Sequence, residues 1–208
     1  MLATHQLTFE YSPTKQFAFP DVLCADREAL LILGRSGTGK TTLLHLLALL
    51  LRPKSGSVVI GQTDLTRLSA AETAAFRAQH VGIVYQKPHF VSSLSVLDNL
   101  LMANYLANKS QNKSRARELA SQLGFGDHLA KKTNQLSQGE QQRVSIARAV
   151  MNQPGVILAD EPTSNLDDEN TERVVKLLRQ QSEQIGASLI VVTHDQRLKD
   201  IFQNQVLL

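Results

Sequence analysis

The segment Gly34-Arg35-Ser36-Gly37-Thr38-Gly39-Lys40-Thr41 fits the phosphate-binding pattern G-x-x-x-x-G-K-[ST] without a mismatch. Its three glycines let the backbone curl, so that successive N–H groups point inward at phosphate oxygens. The helix expected from Thr42 aims the positive end of its dipole at the same anion. Lys40 is then expected to reach the β- and γ-phosphates of a nucleoside triphosphate, and the Thr41 hydroxyl to be a ligand of Mg²⁺. Gly34, Arg35, Ser36, Gly37, Thr38, Gly39, Lys40, Thr41 and Thr42 together form the expected cradle. A second group lies in Val156-Ile157-Leu158-Ala159-Asp160-Glu161, an apolar strand ending in two acids. Asp160 at the strand tip can hold Mg²⁺ through its water shell. Glu161 is placed to polarise an attacking water. Read alone, Asp-Glu-Pro could equally cap the turn after a buried strand. The phosphate loop favours the chemical reading.

The elements that must position these groups follow from hydrophobic patterning. Short stretches at Leu2–Phe9, Phe17–Leu23, Ala29–Leu33 and Ser57–Ile60 predict strands. Leu43 to Leu51 predicts a buried helix ended by Arg52-Pro53. From Lys87 to Thr133 the pattern turns helical, with Val96, Leu97, Leu100, Leu101 and Tyr105 spaced for one apolar face. Val156–Ala159 and Leu189–Val192 are near-continuous apolar runs, as in buried parallel strands. Helices at Glu140–Met151 and Glu172–Gln184 precede them. The expected fold class is α/β, with an antiparallel β patch at the start and a helical insertion in the middle.

Composition narrows the alternatives. A chain of 208 residues is ordinary for one domain, and 42% apolar with 20% charged residues is a soluble globular balance. The longest apolar run, Leu43 to Leu51, is interrupted by His45 and falls far short of the roughly 20 residues that span a bilayer. The start, MLATHQLTFE, lacks the basic and apolar regions of a secretory signal. Cys24 is the sole cysteine, which excludes an internal disulfide and agrees with a reducing compartment. A cytoplasmic location is therefore expected. The net charge of +3 comes from 22 basic and 19 acidic residues. These are scattered, and the densest places, Lys113, Arg115, Arg117, Lys131 and Lys132, read as solvated helix faces, so no nucleic-acid partner is expected.

Further segments carry a resemblance. Leu136-Ser137-Gln138-Gly139-Glu140 resembles the LSGGQ signature of the ABC transporter nucleotide-binding family, and Gln141 to Ala149 is similar to the helix that follows it there. Gln86 falls at that family's Q-loop position. Ser164-Asn165-Leu166-Asp167 resembles the D-loop, and His194 after Ile190-Val191-Val192-Thr193 resembles the switch histidine. Tyr11 sits where the family places an aromatic ring on adenine. Singly, the histidine reads as structural, the glutamine as a turn residue and the tyrosine as packing; seven motifs in order override those readings. The resemblance implies a P-loop NTPase core with an N-terminal antiparallel β subdomain and an inserted α-helical subdomain. Residues 1–86 and 134–208 would form the catalytic lobe and 87–133 the helical subdomain. It implies ATP and Mg²⁺, with Glu161, His194, Gln86 and Lys40 catalytic and with Thr41, Gln86 and Asp160 at the metal. It also implies that Ser137 and Gly139 act on ATP held by a second copy in a sandwich dimer. Gln138 and Glu140 depart from the signature, and Glu140 would weaken binding if its charge pointed at the phosphates.

The stretch Leu136 to Asp168 is most similar to the branch of lipoprotein-release, macrolide-export and FtsE cell-division cassettes. That implies a separate integral membrane permease, export or mechanical transmission, and a peripheral position on the inner face of the membrane. Phe90, Val91, Leu94, Leu97 and Leu101 are candidates for a groove receiving that partner, with subdomain core as their other reading. A soluble ABC ATPase acting on DNA or ribosomes is the alternative. Fifty positions separate Gln86 from Leu136, with no sustained heptads, and one cassette is present instead of two. The intact Lys40, Asp160, Glu161 and His194 oppose a degenerate, inactive cassette.

Overall fold

A computed structural model describes residues 1–164 and 166–208. Asn165, expected within the D-loop-like segment, lies outside the described residues. The first half builds an antiparallel sheet from β1 (Leu2–Ser12), β2 (Lys15–Ala18), β3 (Leu23–Cys24), β5 (Ser55–Ile60) and β6 (Thr63–Asp64). β1 is its spine, pairing with β2, β3 and β5.

The second sheet contains β10 (Asn204–Leu207), β4 (Ala29–Leu33), β9 (Ser188–Thr193), β8 (Val156–Asp160) and β7 (Val81–Val84), in that spatial order. All four pairings are parallel. ALLIL, VILAD and SLIVVT are apolar almost throughout because helices cover both faces of these strands, and every residue of β8 and β9 is buried. One core, under α1 (Lys40–Leu47), joins this sheet to β1 and β5 through Leu43, Leu44, Leu46, Ile32, Leu158 and Ile190. The opposite face packs against α5 (Gln138–Val150) and α6 (Asp168–Ile185), with α3 (Val96–Leu106) and α4 (Lys113–Gln122) beyond α5.

Two local departures from the sequence reading have clear causes. The helix expected at Leu43–Leu51 begins at Lys40 and ends at Leu47. Leu49 turns left-handed at φ 49°, the Leu50 and Leu51 N–H groups both donate to the His45 carbonyl, and Lys54 N–H reaches Thr8 of β1. Sheet pairing thus stops an apolar run that helix propensity would continue. Between β6 and β7 lies α2 (Ala70–His80), started by a reciprocal capping box of Ser69 and Glu72. Its alanine-rich face and the short strand VGIV after it carried too little periodicity to be predicted.

Candidate active site

In a parallel sheet the C-terminal strand ends converge on one edge, where ligands bind. The phosphate loop follows β4, Gln86 follows β7, Asp160 and Glu161 close β8, and His194 follows β9. The sheet therefore gathers residues 34 to 194 at one rim. A cavity of about 430 Å³ there is lined by Ser36, Gly37, Gly39, Lys40, Thr41, Thr42, Gln86, Glu161 and His194, with Lys15 and Phe17 from β2.

Lys40 is 7% exposed, and its ammonium donates to the Gly34 and Arg35 carbonyls, each at 3.0 Å. It also lies 3.4 Å from Glu161 Oε1. The loop that would cradle a phosphate thus holds its own cation in place. Arg35 contributes its carbonyl to this, accepting also from the Thr38 hydroxyl, while its side chain is exposed. Gly39 has φ 95°, and a Cβ there would stand 2.7 Å from the Phe17 ring. Glycine is required on both counts. Phe17 stacks on Phe19 with centroids 5.8 Å apart, so the loop rests on aromatic rings of β2 and of the residue that follows it.

The Thr41 hydroxyl donates to Asp160 Oδ1 at 3.3 Å. Burial foremost pushes the Asp160 carboxyl above its usual range, with the Thr41 hydrogen bond pulling the other way. Glu161 sits at φ 46°, a left-handed conformation that a non-glycine residue holds only when its surroundings fix it. Its N–H donates to Val192, the Thr193 hydroxyl donates to Oε2 at 2.7 Å, and His194 Nδ1 lies 2.9 Å from both carboxyl oxygens. Burial pulls this carboxyl upward, but the hydrogen bonds from His194 and Thr193 outweigh it and hold Glu161 below the ordinary carboxylate range. It is therefore ionised at neutral pH.

Tyr11 is half exposed, shares a 3.2 Å hydrogen bond with the Thr42 hydroxyl, and presents its ring edge-on to Phe9 and Phe17. Lys15 Nζ sits 5.1 Å over the Tyr11 ring. No motif marks Lys15 or Phe17 as a site residue; the apolar, aromatic i, i+2 pair Phe17 and Phe19 is the signal that points at the loop.

Ser137 and Gly139 do not join this cavity. They line a separate one of about 780 Å³ with Gln138, Gln142, Arg143, Ser164, Leu166 and Asp167, which Gln86 also touches. Ser137 caps α5, and Glu140 curls back onto it, accepting from both the Ser137 N–H and hydroxyl at 2.7 Å. Glu140 Oε1 meets His128 at 2.7 Å. Ser137's hydrogen bonds first, and His128 after them, hold the Glu140 carboxyl down at about 2. Its charge is taken up by Ser137 and His128 at the surface.

Residues 21–164 match the family described as ABC transporter. The chain is similar to the lipoprotein-releasing system ATP-binding protein LolD of Shewanella denitrificans, 42% identical over 181 residues that cover 86% of this chain and 78% of that protein. LolD of Geobacter metallireducens is 42% identical over 176 residues, covering 84% and 78%. Among solved structures, the dimeric ATP-binding cassette MJ0796 in a post-hydrolysis state bound to ADP and Pi matches with a TM-score of 0.89 at 29% identity, over 100% of this chain and 94% of that one. CbiO1 of Clostridium perfringens, part of the ABC transporter complex cbiONQ, matches with a TM-score of 0.85 at 26% identity, covering 99% and 83%.

Proposed function

Because this chain belongs to the ABC transporter family, as an ATP-binding and ATP-hydrolysing subunit, we propose that Lys40, Glu161, His194 and Gln86 carry its hydrolysis and that two copies close head to tail on ATP. One observation carries the reading: a buried ammonium held by phosphate-loop carbonyls lies 3.4 Å from an ionised carboxylate at the strand edge. Phosphoryl transfer needs positioned charge more than covalent chemistry, and this pair supplies both signs. Lys40 and the loop N–H groups from Gly34 to Thr42 bind the β- and γ-phosphates, and Tyr11 meets the adenine. Glu161 orients a water and accepts its proton as the water oxygen bonds the γ-phosphorus and the bond to the β-phosphate oxygen breaks, giving ADP and phosphate. His194 is held by Glu161 through Nδ1, which leaves Nε2 for a γ-phosphate oxygen. Gln86 lines the cavity beside Thr41 and Glu161, within reach of the same groups.

Thr41 and Asp160 fit Mg²⁺. One hydroxyl and one carboxylate, 3.3 Å apart, are hard oxygen donors, and Mg²⁺ takes one or two such protein ligands with phosphates and waters. Burial works against charge on Asp160, and a cation would offset that effect. Bound there, the ion would neutralise charge on the phosphate oxygens. Gln86 would complete the set through its amide oxygen.

The domain division proposed is residues 1–86 and 134–208 as catalytic lobe and 87–133 as helical subdomain, in which α3 and α4 pack on each other and against α5. Among the described residues no helix is long and apolar enough to cross a membrane. The likeness to LolD supports a separate permease as partner, with this subunit on the inner face of the membrane. The LolD relatives support the lipoprotein-release branch over an action on DNA or ribosomes. Of the candidates for a permease groove, Leu101 is 3% exposed within the core and Phe90 and Leu97 pack against it, which favours the core reading for these three, while Val91 is 44% exposed.

Two measurements follow. Lys40→Ala removes the cation facing the phosphates, and ATP turnover should collapse while the circular dichroism spectrum stays native; wild-type hydrolysis would remove Lys40 from the mechanism. Glu140→Gln keeps the α5 cap but withdraws a charge that competes for the Ser137 hydroxyl. ATP-driven dimerisation should tighten by about threefold, the size of one weak hydrogen-bond difference, when followed by light scattering. Weaker dimers would mean that the carboxylate itself holds Ser137 in its working orientation.

A further inference from the structure

Arg197 lies three residues beyond His194, in a 3₁₀ turn at Gln196–Asp200. Its guanidinium binds three partners, Asp195 in its own segment and Leu166 and Asp168 in one other. Nε and Nη2 fork onto Asp195 Oδ1 and Oδ2 at 2.9 and 2.7 Å. Nη1 reaches Asp168 Oδ1 at 2.5 Å, and both Nη1 and Nη2 donate to the Leu166 carbonyl at 3.3 Å. Asp195 is 11% exposed, and its Oδ2 also accepts from the Thr163 hydroxyl at 2.9 Å, two residues past Glu161. The Asp195 N–H donates to the Thr193 hydroxyl, which in turn donates to Glu161 Oε2. Hydrogen bonds thus run without a break from the Leu166 carbonyl to the catalytic carboxylate. Leu166 and Asp167 line the same 780 Å³ cavity as Ser137 and Gly139.

We propose that Arg197 is a positioning residue for hydrolysis: it clamps the main chain at Leu166, on the wall that faces a second copy, to the loop that carries His194 and fixes Glu161. The inference rests on reading Ser137 and Gly139 as that facing wall. An exposed ion pair alone contributes little. The informative contact is the pair of N–H groups on one carbonyl, because only a planar fork can grip a carbonyl and two carboxylates at once. Pressure from a partner on the main chain at Leu166 is thereby felt at Glu161, so that the carboxylate is held in its working orientation when the dimer is closed.

Arg197→Lys and Arg197→Gln test this. An ammonium can pair with Asp195 but cannot span Asp195, Asp168 and the Leu166 carbonyl. Both variants should melt near the wild-type temperature and bind a fluorescent ATP analogue as monomers within about twofold of wild type. Both should lose about tenfold in kcat at saturating ATP and protein, the range expected when a coupling contact is cut. Wild-type kcat in either variant overturns the proposal, since lysine sufficing would mean that charge alone matters. A loss of ATP affinity as large as the loss of kcat also overturns it, by showing general damage to the fold. Failure here would leave the collapse of turnover in Lys40→Ala untouched, so the two readings fail separately.

Discussion

Glu161→Gln should yield a protein that binds ATP and barely turns it over. The amide keeps the size of the side chain and an oxygen that accepts from Thr193, which now donates at 2.7 Å. The charge that draws a proton from water is gone, and turnover should fall by about 10²-fold or more. Affinity should hold or tighten, because a negative charge 3.4 Å from Lys40 no longer competes with the phosphates for that cation. Phosphate release at saturating ATP, set beside a nucleotide titration, separates the two effects. An unchanged rate would leave Glu161 as a turn residue at the end of β8.

The same substitution prepares the larger test, which concerns the surface bearing Ser137 and Gly139. Within one chain these residues line a different cavity from Lys40 and Glu161. If each chain completes the other's site, specific activity should rise with protein concentration as dimers form by mass action. Glu161→Gln should accumulate as an ATP-bound dimer. Adding Ser137→Arg should abolish that dimer in light scattering while monomer ATP binding persists, because a bulky cation fills the place of the partner's γ-phosphate. Specific activity independent of concentration, or a Ser137→Arg protein that still closes on ATP, would remove the shared-site reading.

Much of this site is legible in sequence because its chemistry sits on loops fixed by unmistakable strands. Ala29–Leu33 is predicted residue for residue, and Val156–Ala159 and Leu189–Val192 each fall short of the observed strand by one residue at one or both ends. Continuous apolar runs permit little else when both faces of a sheet are covered. Elements outside that logic are harder to see. β7 has four residues, one of them glycine, and β10 reads NQVL with only Val206 even partly buried. The Ser69–Glu72 cap was present in the sequence of α2 as S-x-x-E but lacked a clear apolar stripe to attach it to. Arg197 gives no sequence signal at all, since an exposed arginine on a turn has no periodicity and its partners at 166 and 168 become neighbours only after folding. The orientation of Glu140 is likewise a rotamer outcome, decided by the vacant N–H groups at the start of α5.

The aromatic shelf beneath Gly39 has a consequence for how the molecule comes apart. Phe17 belongs to the antiparallel sheet and Phe19 follows it, tied to β1 through the Leu7 carbonyl, yet the loop they support begins at the end of a strand of the parallel one. Neither sheet can peel away without unseating the phosphate loop, so a bound nucleotide acts as a rivet through both layers. Partial unfolding that spares one sheet must still release the ligand, and the opening motions that expose either core are suppressed together in proportion to occupancy. For a subunit that alternates between holding and releasing ATP, susceptibility to proteolysis of its N-terminal strands becomes a function of the transport cycle.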